Sequence, residues 1–367
     1  MMSNERNTEA VKRLYSISES IYEQLEQGKI PKMVLPLRTK ANIKFDTRSS
    51  VWKYGNLKGA RSAKKVKGAM MLLRTSYMLE LIKEMIEENK SSTLREAYYI
   101  SEGWGKAKFH NQDESNLLAE DLEIVTQCLR EDFKLRPEED GARVIGDINI
   151  VETDRKGKKK ALNCRDDVGD SGYGIPYNVE KEKIELKSTS AKFVVAIETG
   201  GMFDRLVENG FDEEHDAVLV HLKGQPARST RRFIRRLNDE MKLPVIVFTD
   251  GDPWSFRIYA SVAYGAIKTA HLSEYLATPT AEYIGITASD IENYELPTDK
   301  LTDMDVRALN AELKDPRFNT DFWKGEIELM LKLNRKSEQQ ALAKYGLNYV
   351  TDTYLPDKLN ELGLLKK

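Results

Sequence analysis

Cysteine is almost missing from this chain of 367 residues. Cys128 and Cys164 are too few for a disulfide framework and point to reducing, cytoplasmic surroundings. The four histidines do not pair with cysteine at zinc spacing, so a structural zinc is not expected. No stretch approaches the roughly 18 uninterrupted apolar residues of a membrane span. The opening Met1-Met2-Ser3-Asn4-Glu5-Arg6 lacks the apolar core of a secretory leader, so neither a membrane nor export is expected. No Gly-x-x-x-x-Gly-Lys-Ser/Thr loop occurs, and Gly169, Gly172 and Gly174 do not have dinucleotide-binding spacing. There is no excess of one charge either: 57 basic and 59 acidic side chains leave a net charge of −2. That balance argues against a uniformly basic nucleic-acid binder.

What is present is an ordinary globular mixture, 40% hydrophobic and 32% charged, long enough for two domains. The charge is unevenly placed. From Arg38 to Arg74 eleven Lys or Arg face one acid, Asp46, with Trp52 and Tyr54 among them. Apolar spacing predicts a helix over 9–28, then an irregular basic arm to about 68. Met71, Met78, Leu81, Ile82 and Met85 recur at helical spacing. After a stop at Asn89-Lys90-Ser91, Thr93-Leu94-Arg95-Glu96 has capping-box spacing and should open a short helix from Arg95 to about Ser101. A third helix is expected over 115–131, burying Leu118, Leu122, Val125 and Leu129. Arg143–Ile150 looks extended, and Lys156-Gly157-Lys158-Lys159-Lys160 looks like an exposed turn. Three helices and a β ribbon are the order of a winged helix. From about 190 four short apolar runs, at 192–197, 217–220, 244–248 and 283–286, alternate with helical patterns at 201–209, 228–241 and 253–268. That alternation predicts a parallel sheet with helices on both faces; beyond about 300 the pattern is mostly helical.

Two of the apolar runs end in acids. Ile197 leads into Glu198, and Phe248 leads into Thr249-Asp250-Gly251-Asp252. Sites in open α/β sheets lie at the carboxyl ends of strands, so Glu198, Asp250 and Asp252 can converge. Three carboxylates repel one another unless a cation sits among them, and hard oxygen ligands suit Mg²⁺. Any one such acid can equally be a turn residue or a helix cap. The pattern of Glu after one strand and Asp-x-Asp after a later one resembles the Toprim domain of topoisomerases, primases and some nucleases.

The sequence Ser92-Thr93-Leu94-Arg95-Glu96-Ala97-Tyr98-Tyr99 narrows the choice. Arg95 and Tyr99 are four apart and share a helical face. A phenol titrating near ~10 is a weak nucleophile at neutral pH, and an adjacent guanidinium favours phenolate and steadies charge on a phosphorane. Most of the sixteen tyrosines must be packing residues; Tyr98, about 100° round the helix, is read as one. Arg-x-x-Tyr-Tyr before a Toprim pattern resembles the DNA-cleaving chains of archaeal type IIB DNA topoisomerase and the related meiotic double-strand-break transesterase, over nearly the whole chain. Gly172-Tyr173-Gly174-Ile175-Pro176 and Lys223-Gly224-Gln225-Pro226 support the likeness.

The resemblance implies a CAP-like winged-helix domain over 69–148 bearing Tyr99 as nucleophile, after an N-terminal helix and basic arm over 1–68. It implies a Toprim domain with a helical C-terminal extension over 149–367, an α/β chain overall. Glu198, Asp250 and Asp252 would hold Mg²⁺, with Glu198 also a candidate acid/base and Arg95 assisting Tyr99. Duplex DNA would be contacted by Arg61, Lys64 and Lys65 of the arm, by Lys223, and by Arg228, Arg231 and Arg235 on one helical face. Glu114, Glu120, Asp121 and Glu123 make the third helix unfriendly to phosphate. The resemblance further implies short 5′ overhangs with Tyr99 on each 5′ end, a homodimer, and a separate GHKL-type ATPase chain that completes an A₂B₂ heterotetramer. Rival readings are double-strand-break formation without strand passage, a Toprim nuclease using a metal-bound water, and a DNA-binding protein with a degenerate Toprim domain.

Overall fold

The computed structural model describes residues 2–136 and 142–365. The chain forms two compact units: Met1–Lys44 with Lys53–Asp140, and Phe45–Trp52 with Gly141–Lys367.

In the first unit, α1 (Met2–Glu26) buries Ala10, Leu14 and Ile17, the three-and-four spacing of an amphipathic stripe. Strand β1 (Lys32–Pro36) pairs antiparallel with β4 (Lys58–Ser62). Between them in sequence lie β2 (Ile43–Asp46) and β3 (Val51–Tyr54), paired with each other, of which Phe45–Trp52 belongs to the second unit. Helix α2 (Val66–Glu87) buries Met78, Leu81, Ile82 and Met85, and Asn89, in the left-handed region at φ 52°, follows its end. After β5 (Ser92–Thr93), Thr93 and Glu96 close the expected capping box on α3 (Leu94–Ile100). Helix α4 (Gln112–Thr126) stops short of the expected 131, because Gln127 turns left-handed at φ 54°. Leu118 and Leu122 are fully buried, whereas Val125 and Leu129 are only partly so. Strand β6 (Leu135–Arg136) pairs parallel with β5.

The buried acids of α4 pair internally. Arg38 holds Glu120 and Asp121, each at 2.6 Å; Arg61 holds Asp121 at 3.0 Å; and Arg130 holds Glu123 at 3.0 Å. Glu120, Asp121 and Glu123 are all buried, and buried carboxylates need such partners. Part of the basic arm thus neutralises the acidic helix.

In the second unit, β7 (Arg143–Ile145), at the start of the segment read as extended, joins a six-stranded sheet. Strands β8 (Ile148–Thr153) and β9 (Lys159–Asn163) form a separate three-stranded sheet with β11 (Ile184–Thr189), β8 lying centrally. Strand β10 (Tyr173–Gly174) pairs with β7. Gly172 sits at φ +76°, and a Cβ there would stand 2.7 Å from the Val144 carbonyl oxygen, so the first glycine of the Gly-Tyr-Gly motif is held to glycine by conformation and contact.

The core follows: β12 (Phe193–Ile197), α5 (Gly200–Glu208), α6 (Phe211–Glu214), β13 (Ala217–His221), α7 (Arg228–Met241), β14 (Val245–Phe248), α8 (Pro253–Tyr264), α9 (Ser273–Leu276) and β15 (Glu282–Gly285). The order β13-β12-β14-β15 is parallel. Strand β7 adds antiparallel to β13, so the sheet is mixed where an all-parallel one was expected. Every side chain of β12 is fully buried, which is why it reads as an unbroken apolar run; each of Phe193, Val194, Val195 and Ile197 contributes roughly 1.5–3 kcal/mol by its burial. The remaining chain holds α10 (Ala288–Asn293), β16 (Asp299–Lys300), α11 (Asp303–Glu312), α12 (Asp321–Leu333), β17 (Arg335–Lys336) and α13 (Leu355–Glu361).

Candidate active site

Strands β12 and β14 are parallel neighbours in the register Ile197↔Phe248. Their next residues therefore emerge side by side at the carboxyl edge of the sheet. The Glu198 amide donates to the Phe248 carbonyl at 3.1 Å, and the Asp250 amide donates to Glu198 Oε2 at 3.0 Å. Asp252 caps α8, its Oδ1 accepting from the Ser255 amide at 2.8 Å, with Pro253 in the first helical turn. A Cβ on Gly251 would lie 2.9 Å from Ile286 Cγ2, so the residue between the two aspartates is held to glycine by contact.

A segment that sequence reasoning missed closes over this loop. Gly251 and Ser337 exchange backbone hydrogen bonds at 2.8 and 3.2 Å. The Gln339 amide donates to Asp250 Oδ1 at 2.8 Å, and Gln339 Oε1 accepts from the Thr199 hydroxyl at 3.1 Å. Lys336 pairs with Asp305 at 2.9 Å and lies close enough to Asp252 to feel its charge. These contacts come from backbone and amide groups with no periodic or motif signature.

Burial pushes Asp250 up to about 7, and the charges of Glu198 and Asp252 push the same way against the Gln339 amide. Glu198 is raised for the same first reason, burial, with Asp252 adding to it. The Asp250 amide opposes that rise, as does the Ser255 hydroxyl, which lies beside Glu198 outside ordinary hydrogen-bond geometry. Among the described residues no three His, Cys, Asp or Glu side chains already converge as ligands of an ion. The donor set nevertheless fits a hard divalent cation: oxygens only, half-buried, and mutually destabilised as anions.

In the first unit the capping box fixes the start of α3. The Glu96 amide donates to Thr93 Oγ1 at 3.0 Å, and the Thr93 amide to Glu96 Oε2 at 2.6 Å. The Thr93 amide is also the first cause holding the Glu96 carboxyl below the ordinary range. Ala97 faces the core and Tyr98 packs partly against it, which turns Arg95 and Tyr99 outward; Tyr99 is 60% exposed. A hollow beside Tyr99 is lined by Leu81, Glu84, Met85, Glu88 and Glu96.

The expected DNA-contacting residues scatter. Lys64, Lys65 and Lys223 are exposed. Arg61 is paired with Asp121. Arg228 is half-buried; Arg231 is only 7% exposed and donates to the Ser261 hydroxyl at 3.3 Å. Arg235 pairs with Asp239 at 2.6 Å. Helical spacing put the three arginines on one face, but that face is largely turned inward on α7 beside Phe233, Ile234 and Leu237.

Three family models tile the chain. Residues 70–135 match the type IIB DNA topoisomerase model, 138–190 match the all-beta domain of the DNA topoisomerase VI alpha chain, and 193–359 match the Toprim domain common to Spo11 and the topoisomerase 6 A-chain. The strand-end acids therefore sit in a Toprim domain, and the class is that of Toprim enzymes acting on DNA with a divalent metal. The A-chain of type 2 DNA topoisomerase 6 from Archaeoglobus fulgidus is 61% identical over 97% of this chain and 98% of its own length. Those of Methanosarcina barkeri and Natronomonas pharaonis are 56% and 54% identical, over 98% and 99% of this chain and 97% and 100% of their own. The chain belongs to the type IIB DNA topoisomerase family, as its DNA-cleaving subunit. No helix among the described residues is long and apolar enough to cross a membrane.

Proposed function

We propose that Tyr99 attacks a DNA phosphate and becomes joined to the 5′ end, opening a transient double-strand break for passage of another duplex. The observation that carries this reading is the solvent-facing placement of Tyr99 on a helix whose start is fixed by a capping box. The bond formed replaces the bond broken, so the 3′-hydroxyl can reverse the step without added energy. Arg95, one turn earlier and exposed, steadies the charge on the attacked phosphate. Glu198, Asp250 and Asp252 would hold Mg²⁺, which when bound supplies charge stabilisation at the phosphate. Glu198, raised from the ordinary carboxyl range, is also suited to give a proton to the leaving 3′-oxygen.

Residues 69–148 are read as the winged-helix domain presenting Tyr99, with 1–68 as its arm and 149–367 as the Toprim domain with its extension. Lys64 and Lys65 are the stronger DNA-contact candidates, since Lys65 heads α2 with no side-chain cap and leaves its amides to an anion. Lys223 is kept; Arg61, Arg228, Arg231 and Arg235 are secondary, given the ion pairs of Arg61 and Arg235 and the burial at Arg228 and Arg231. Two symmetric cuts call for a homodimer, with a GHKL-type ATPase chain completing the A₂B₂ heterotetramer. The test is detergent trapping of protein-linked 5′ ends with Mg²⁺ and the ATPase partner present. Tyr99→Phe should yield none and Tyr98→Phe should remain close to wild type; a normal yield from Tyr99→Phe overturns the assignment.

A further inference from the structure

The hairpin joining β8 and β9 carries a density of positive charge that the cleavage chemistry does not use. Asp154 organises its turn: Oδ1 accepts the amides of Lys156 and Lys158 at 2.8 and 2.9 Å. The Asp154 amide bonds the Lys158 carbonyl at 2.9 Å, and Gly157 takes the left-handed conformation at φ +79°. The strands then continue in register, Thr153 opposite Lys159 and Glu152 opposite Lys160. Arg155, Lys156, Lys158, Lys159 and Lys160 are all exposed. The nearby acids are engaged elsewhere, Asp154 by the turn, Glu152 by Lys183 beside β11 at 3.3 Å, and Glu185 of β11 by Lys187 at 2.7 Å, although Lys159 lies close enough to Glu185 to help hold its carboxyl down. Among the described residues none of the five cations has a carboxylate within ion-pairing reach.

A rigid ribbon with five adjacent cations, in a chain whose net charge is −2, is built to meet a polyanion. Successive strand residues point to opposite faces, so Lys159 and Lys160 reach to opposite sides while Arg155, Lys156 and Lys158 ring the turn. We propose that the tip of the β8–β9 hairpin is a further duplex-DNA contact, distinct from the acid set, binding phosphates through Arg155, Lys156, Lys158, Lys159 and Lys160. Lysines of this kind position a duplex without reading its bases. The inference rests on the DNA-cleaving reading above.

The test uses the full chain with its ATPase partner, comparing wild type with the triple variant Lys156→Gln, Lys158→Gln, Lys160→Gln and with the matching triple Lys→Arg variant. Affinity is measured from 50 to 200 mM salt on a long linear duplex and on a supercoiled circle. Three phosphate contacts at ~0.9 each flatten the log–log slope by about 2.7, so wild type should lose about 40-fold more affinity over that range than the Gln variant. The Arg variant should track wild type. A difference on the linear duplex assigns the hairpin to the flank of the cut duplex. A difference confined to the circle, where duplexes cross, assigns it to the second duplex. Equal slopes for wild type and the Gln variant on both overturn the proposal. Protein-linked 5′ ends from wild type, scored in the same samples, separate failure of the hairpin from failure of the cleavage reading.

Discussion

Asp250→Asn should make the metal-free protein more stable at alkaline pH while removing its response to Mg²⁺. The side chain keeps its shape, and Asn Oδ1 can still accept the Gln339 amide now 2.8 Å from Asp250. What changes is the charge. Burial, Glu198 and Asp252 raise Asp250 from 3.8 to about 7, a difference of about 3 units, or about 4 kcal/mol at ~1.36 kcal/mol per unit. Because the folded value is raised, the native state holds its proton longer than the unfolded chain. The penalty is therefore absent below about 4, grows as pH rises towards 7, and is fully present above it. At pH 8.5 without metal, Asn should gain about 3–4 kcal/mol, roughly 6–16 °C in the melting temperature of the second unit, and at pH 4 almost nothing. Mg²⁺ should raise the wild-type melting temperature and leave the variant nearly unmoved. Thermal unfolding by circular dichroism across pH, with Mg²⁺ or with chelator, reads all of this. An Asn variant that melts below wild type at pH 8.5 in chelator would refute the account of Asp250 as a strained carboxylate awaiting a cation.

The same titration predicts that apparent Mg²⁺ affinity, followed calorimetrically, falls about tenfold per pH unit below 7 and levels above it; a flat profile from pH 5.5 to 8 would contradict it. Asp121→Asn removes the charge bridging Arg38 and Arg61 in a site with no exposure at Asp121. It should cost about 2–4 kcal/mol in denaturant unfolding, below the full penalty of a broken buried pair, because Arg38 keeps Glu120. Heterodimers of Tyr99→Phe with Asp252→Ala protomers should nick one strand if each site is shared between protomers, since one site then collects both defects. Intact duplex from well-formed heterodimers would rule out sharing. Glu198→Gln should lose cleavage, and retention of both rate and metal affinity would remove it from either role.

Local patterns were the most legible part of this chain. The four apolar runs became β12 to β15 within a residue or two because buried parallel strands carry their signal in consecutive side chains. The Thr93–Glu96 box needed only four residues to be read. That Glu198 and the Asp250–Asp252 loop emerge side by side was accessible because strand ends share one edge of a parallel sheet. Partner choice between distant charges was not. Arg38 and Arg61 looked like free cations, and Glu120 and Asp121 like a repulsive helix face, until the fold joined them across 82, 83 and 60 residues. Helical spacing placed Arg231 with Arg228 and Arg235 but carried no information on which way that face pointed. The split of the extended segment 143–150 into β7 of one sheet and β8 of another also escaped, since three residues of β7 give no periodicity to set it apart.

The closure of Ser337–Gln340 over the acid loop sets an order on the birth of the enzyme. Asp250 receives its Gln339 amide from 89 residues downstream, and Thr199 bonds Gln339 from 140 residues upstream of it. A chain emerging from its N-terminus has made Tyr99 long before these residues. Its acid loop stays unfinished until synthesis has passed residue 340. A nascent or truncated polypeptide thus carries Tyr99 without a completed acid loop, and if both serve cleavage as proposed, the capacity to break DNA arrives only with a nearly whole molecule.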